Sequence, residues 1–204
     1  MELYYAPGAC SLAPHIVSRE AGLPIKLIKV DFGTRKTEKG DDYLAVNSKG
    51  YVPALRLDDG QVMTEVATLV QYLADQRPQS NLAPALGTAE RYRLMEWLNF
   101  IGSEVHKGFA PLWDPKASDE AKAAVKAKLA TRLKWFDQQL QGRDYIMGKQ
   151  FSVADAYAFV VLNWAGMLDV DLSPYPNIRA FMGRVAARPQ VKEALRAEGL
   201  LKAA

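Results

Sequence analysis

Along residues 1–77 the apolar positions switch repeatedly between the two-residue period of a strand and the three-to-four-residue period of a helix. Glu2 to Tyr5 reads as a short strand, and SLAPHIVSREAGL as the helix after it, stopped at Gly22. Pro14 fits that helix only if the helix begins just upstream, because first-turn amides need no intrahelical partner. The run IKLIKVDF, from Ile25, is rich in branched residues and predicts a second strand. DDYLAVN predicts a short helix or turn. VPALRL and QVMT, on either side of Asp59-Gly60, predict a β-hairpin. From Glu65 to Gln76 the spacing of Val66, Leu69, Val70 and Leu73 is helical again. The order βαβ then ββα predicts a mixed four-stranded sheet, parallel across the crossover and antiparallel in the hairpin. Pro53 is out of place inside a strand: it belongs at a strand start, on an edge, or as a cis proline serving a site.

Residues 78–87, from the Pro-rich and aperiodic stretch RPQSNLAPALG, read as a linker, and residues 88–204 as an all-helical domain. Leu94, Trp97, Leu98, Ile101 and Val105 stripe one long helix. Val125, Leu129, Leu133, Phe136 and Leu140 stripe the next, with Ser118 placed to cap it. FSVADAYAFVVLNWAGML is apolar nearly all round and predicts a buried helix, opened by Ser152 and Asp155 at capping-box spacing. Two shorter helices follow, near 177–187 and 190–197.

Composition narrows the class. Apolar residues make up 49% and charged residues 24%, as in a folded protein rather than a disordered one. The net charge of +3 is spread among interspersed acids and bases, so no nucleic-acid footprint is expected, although it favours an acidic small molecule. No segment approaches the roughly 20 apolar residues that span a bilayer, so no membrane partner is expected. The N-terminus lacks the pattern of a signal peptide, and the single cysteine rules out an intrachain disulfide; a cytoplasmic location is the expectation. One cysteine and two histidines make no common zinc site.

Cys10 lies where APGA delivers the chain into the first predicted helix. Thiolate is the reactive form of cysteine, and the unpaired amides and dipole of a helix N-terminus favour it; a lone cysteine is equally a small buried hydrophobe. His106, in SEVHKGF, is either a solvated helix residue or a hydrogen-bonding partner for a thiol or ligand. His15 reads as structural. In TEVAT, Glu65 meets a helix start: the amides there suit a ligand carboxylate and Glu65 suits an ammonium, as in a peptide-like ligand, or Glu65 is only a favourable first-turn charge. Val52-Pro53 can offer strand-edge groups to a peptide backbone. Arg35 and Lys36 can hold a terminal carboxylate, or form a solvated basic loop.

The segments YYAPGACSLAPHIVSREAG, NSKGYVPAL, MTEVATLVQYLAD, EWLNFIGSEVHKGF and FSVADAY stand in one order over essentially the whole chain, and together they resemble a beta-class bacterial glutathione S-transferase. The resemblance implies a thioredoxin-like, glutathione-binding N-terminal domain, an all-α C-terminal bundle and a homodimer. It implies conjugation of glutathione, a co-substrate rather than a bound cofactor, to small apolar electrophiles, together with thiol–disulfide exchange through Cys10. Position by position, Cys10 matches the cysteine that contacts the glutathione sulfur and forms a mixed disulfide with it, and His106 the histidine near that sulfur. Val52 matches the residue whose backbone pairs with the cysteinyl unit, and Pro53 the cis proline. Glu65 and Val66 match the pair at the γ-glutamyl end, and Arg35 a basic residue near the glycyl carboxylate. Asn99, Ser103 and Lys107 match helix positions lining the site, Asn99 and Ser103 reaching across the dimer. Ser152 and Asp155 match a structural capping motif. Phe109, Trp113 and Trp164 are candidates for apolar walls. Val66 departs from the small or hydroxyl residue common there, and Ser48 from a proline. A glutathione-dependent dehalogenase or peroxidase of aromatic catabolism would use the same site, and a non-enzymatic protein shares the fold.

Overall fold

The structure, a computed structural model, describes residues 1–201. The chain divides into two compact units: Met1–Ala83 together with the segment from Arg188 onward, and Pro84–Ala187.

In the first unit β1 (Glu2–Tyr5), α1 (Leu12–Glu20) and β2 (Lys26–Asp31) form a βαβ crossover, with β1 and β2 parallel and Leu3 opposite Leu27. β3 (Lys36–Thr37) pairs antiparallel with β2 and was not anticipated. At two residues it carries no hydrophobic alternation, so no periodicity marked it. β4 (Ala54–Arg56) and β5 (Val62–Thr64) are the hairpin, β4 antiparallel to β1. The sheet therefore has five strands rather than four, in the order β3-β2-β1-β4-β5. Pro53 stands one residue before β4, where its missing N–H costs no ladder bond. α2 (Val66–Asp75) follows β5 and buries Val66, Leu69, Val70 and Leu73, the stripe read from the sequence. α1 starts at Leu12, so Pro14 lies in its first turn.

A second difference concerns α8 (Pro189–Ala197), which the sequence reading assigned to the helical domain 88–204. It packs on α1 in the first unit. Buried polar contacts explain why. Glu198, just past α8, accepts the Gly8 amide at 3.0 Å and meets His15 Nδ1 at 2.8 Å, and the guanidinium of Arg188 grips both oxygens of Glu20 at 2.7 and 2.8 Å. Arg19 Nε donates to His15 Nε2 at 2.9 Å, so His15 carries its hydrogen on Nδ1 and donates to Glu198.

The second unit is helical: α3 (Ala89–Phe100), α4 (Lys107–Phe109), α5 (Asp119–Gln139), α6 (Val153–Asn163) and α7 (Pro176–Ala187). The long helix expected through Val105 is not uniform, because Ile101–His106 is a π-helical turn between α3 and α4. α5 is capped by Ser118, whose hydroxyl accepts from the Ala121 amide at 3.2 Å. α6 is buried from Val153 to Leu162 and ends at Asn163, where a 3₁₀ turn (Trp164–Gly166) begins. The Asp155 carboxylate organises its start, accepting at 2.7 Å from the Ser152 amide, the Ser152 hydroxyl and the Ile146 amide. On α5, Asp137 reaches across to the head of α7 and accepts from the Ile178 amide at 2.9 Å. No helix among the described residues is long and apolar enough to cross a membrane.

Candidate active site

The first unit brings together six of the predicted residues. The segment between β1 and α1 is a tight turn: the Ala9 amide donates to the Ala6 carbonyl, and the Ser11 hydroxyl bonds both the N–H and the C=O of Ala6 at 3.2 Å. This turn presents Cys10, half-buried, to the segment before β4, where its sulfur lies 3.2 Å from the Val52 carbonyl oxygen. The Val52–Pro53 peptide bond is cis. The expectation that Cys10 sits among open helix amides needs amendment. The first-turn amides of Leu12 and Ala13 are taken by the carbonyls of Ala9 and Cys10, at 2.9 and 3.1 Å. Toward Val52 the sulfur acts as donor.

Glu65 occupies the N-cap position of α2 with φ 72° and ψ 120°, a left-handed conformation that costs a side-chain-bearing residue about 1–3 kcal/mol. Its carboxylate is mostly exposed. Lys49, which sequence reasoning missed, donates to it at 2.6 Å and to the Thr64 hydroxyl at 2.8 Å. An ammonium thus already sits where a ligand ammonium was expected, supplied by the protein. Val66 begins α2 with its side chain buried. Arg35, also at positive φ (57°), donates to the Gly50 carbonyl at 2.5 Å and lies over the ring of exposed Phe32. The buried phenol of Tyr43 and the amide of Asn47 both donate to the Tyr51 carbonyl, at 2.6 and 2.7 Å. Arg35, Tyr43, Asn47 and Lys49 therefore brace residues 49–51 and fix the strand edge at Val52. An open cavity of about 380 Å³ beside the same sheet, lined by Glu2, Tyr4, Ile28, Asp41 and Arg56, takes in none of these residues.

The second unit holds the other four. Asn99 and Ser103 are exposed and back-bond to their own helix, Asn99 to the Met95 carbonyl and Ser103 to the Asn99 carbonyl, each at 2.9 Å. Lys107 is exposed at the head of α4. His106 ends the π turn. Its Nδ1 lies 2.6 Å from the Tyr157 hydroxyl, and its ring meets Trp164 edge-on at 5.0 Å. Tyr157 was hidden from sequence reasoning by the uniform hydrophobicity of α6. Of the three aromatic wall candidates, Phe109 is fully buried and Trp164 nearly so, while Trp113, 5.9 Å from Trp164, is half exposed.

Known proteins complete the picture. Residues 8–76 match the glutathione S-transferase N-terminal domain and residues 100–189 the C-terminal domain. The chain is 48% identical to the glutathione S-transferase GstA of Escherichia coli O157:H7, over 98% of this chain and 100% of that one. Among solved structures, a sphingomonad glutathione S-transferase complexed with glutathione is 50% identical with a TM-score of 0.95, covering 98% of this chain and all of the other. The bacterial beta-class glutathione S-transferase of Sphingomonas chungbukensis is 51% identical with the same TM-score and the same coverage. The chain belongs to the glutathione S-transferase family, in the bacterial beta class that its sequence motifs resemble.

Proposed function

We propose that the chain conjugates glutathione to small apolar electrophiles, and that Cys10 adds glutathione-dependent thiol–disulfide exchange. The observation that carries this reading is the meeting of Cys10 Sγ with the Val52 carbonyl, beside the cis Pro53 and in the same unit as the α2 N-terminus headed by Glu65. The relative solved with glutathione supports the choice of co-substrate.

Glutathione lies extended along the strand edge at Val52, pairing its cysteinyl backbone there. Glu65 takes its ammonium, in competition with Lys49, and the first amides of α2 take the glutamyl carboxylate. Val66 serves by its N–H alone. Arg35 has donors beyond the one given to Gly50 and takes the glycyl carboxylate. By the family resemblance His106 matches the histidine near the glutathione sulfur, and we take it to donate a hydrogen bond there. In conjugation the glutathione thiol gives its proton to solvent, the resulting thiolate forms a bond to the electrophilic carbon, and the leaving group departs with the electron pair of the bond it breaks. Trp113, backed by Trp164 and Phe109, offers apolar surface to the electrophile.

In exchange, the Cys10 thiolate attacks a glutathione-linked disulfide, forms Cys10–S–S–glutathione and expels the other sulfur as thiolate. With one cysteine in the chain, a second glutathione must release Cys10 and leave as glutathione disulfide. Asn99 and Ser103 serve a homodimer, and the working compartment is the cytoplasm.

Intact mass spectrometry of the protein equilibrated with glutathione disulfide, joined to a conjugation assay with an aryl halide, tests both activities. A reducible adduct of one glutathione and measurable conjugation are expected. A chain that forms no adduct has no exchange site at Cys10, and one that neither conjugates nor is retained on immobilised glutathione overturns the reading altogether.

A further inference from the structure

The π-helical turn at Ile101–His106 ends on an imidazole whose Nδ1 lies 2.6 Å from the hydroxyl of Tyr157. π turns are rare and gather at functional sites. Tyr157 is 3% exposed, on a helix buried along its length and anchored at its start by the triply bonded Asp155. Its oxygen also lies 3.5 Å from where a Cβ on Gly102 would stand, so the phenol passes over a position with no side chain to reach His106. The imidazole ring is held a second way by the edge of Trp164, at 5.0 Å. Three elements thus fix one imidazole.

We propose that Tyr157 is a positioning residue that donates its hydroxyl proton to His106 Nδ1 and so holds the neutral ring as the Nε2–H tautomer. An unprotonated imidazole nitrogen is a much better acceptor than a phenol oxygen, and the hydrogen bond made at one ring nitrogen decides which nitrogen keeps the hydrogen. In this tautomer His106 offers Nε2–H as a donor. It stabilises a sulfur that has already lost its proton, and it is not the base that removes that proton. The inference rests on the reading of His106 as a site residue given above.

The chain has two histidines, and His15 is an internal reference because Arg19 fixes its hydrogen on Nδ1. Long-range ¹H–¹⁵N spectra of the full chain should show His106 as Nε2–H and His15 as Nδ1–H. Tyr157→Phe should convert His106 to a mixture of tautomers and leave His15 unmoved. Its kcat for conjugation should fall about tenfold, the worth of one buried hydrogen bond, with the KM for glutathione changed less than twofold. A His106 found as Nδ1–H in the unaltered chain, or an unmoved His106 spectrum in Tyr157→Phe, overturns the tautomer assignment; the first of these needs no variant to fold. His106→Ala isolates the underlying reading: unchanged kcat there removes His106 from the chemistry, whatever the spectra show.

Discussion

The sulfur of Cys10 donates to the carbonyl oxygen of Val52 across 3.2 Å, joining the turn before α1 to the residue before Pro53. The contact ties the one cysteine of the chain to the strand edge along which the proposed peptide ligand would lie, and the carbonyl keeps a second lone pair for another donor.

Cys10→Ala should abolish thiol–disulfide exchange, because no other sulfur nucleophile exists apart from methionine thioethers. Conjugation should fall less than about tenfold, since only one weak hydrogen bond is lost and Val52 remains available to the ligand. Exchange rates measured with a glutathione-mixed disulfide decide the matter: residual exchange in this variant would remove Cys10 from the mechanism.

Glu65 joins strain to binding. Glycine accepts its φ of 72° freely, so Glu65→Gly should keep or raise stability, by up to about 1 kcal/mol, while the KM for glutathione rises at least tenfold. The exposed pair with Lys49 contributes too little to reverse the sign, on the order of 0–1 kcal/mol. Parallel urea denaturation and initial-rate kinetics read the two effects; a KM left unchanged would contradict the assigned role.

Asp155 should give the fold an unusual pH dependence. Burial raises its carboxyl from 3.8 to about 6, against the pull of the donors from Ile146 and Ser152. Between those values the folded chain binds a proton that the unfolded chain does not. This group therefore adds stability as the pH falls from 7 to 5, about 1 kcal/mol, and withdraws it as the pH rises through 6. The difference in unfolding free energy between the unaltered chain and Asp155→Asn, followed over that range, should carry this slope; a flat difference would refute it.

Glu198→Ala should cost about 3 kcal/mol, since it strips partners from the buried His15 ring and the Gly8 amide. Because Gly8 leads into the Cys10 turn, alkylation of Cys10 should also change in rate. Thermal unfolding and iodoacetamide kinetics test this, and a variant with unaltered midpoint would show the cluster to be dispensable.

The sequence disclosed the elements with strong periodicity, and it singled out Cys10, Val52, Pro53 and Glu65 as candidates because turns, a misplaced proline and a helix start mark such positions. What it hid has physical causes. β3 is too short for a period. Lys49 looks like any solvated lysine until the chain folds it onto Glu65. Tyr157 sits in a run where every residue is buried, so nothing set it apart. The π turn leaves the apolar stripe of Leu94 to Val105 intact while shifting the backbone bonds beneath it. The return of α8 to α1 is held by Glu198 past its end, by Arg188 before its start and by its buried apolar face, and no local pattern announces so distant a partner.

That return has a consequence for biosynthesis. The first unit contains both the earliest and the last of the described residues, whereas the second is one unbroken stretch between them. A ribosome therefore exposes the whole of the second unit before α8, with Glu198 behind it, emerges to complete the first. The nascent βαββββα segment must wait with the α8-binding face of α1 uncovered, so the emergence of α8, rather than completion of the sheet, sets the moment at which the Cys10 turn acquires its final support.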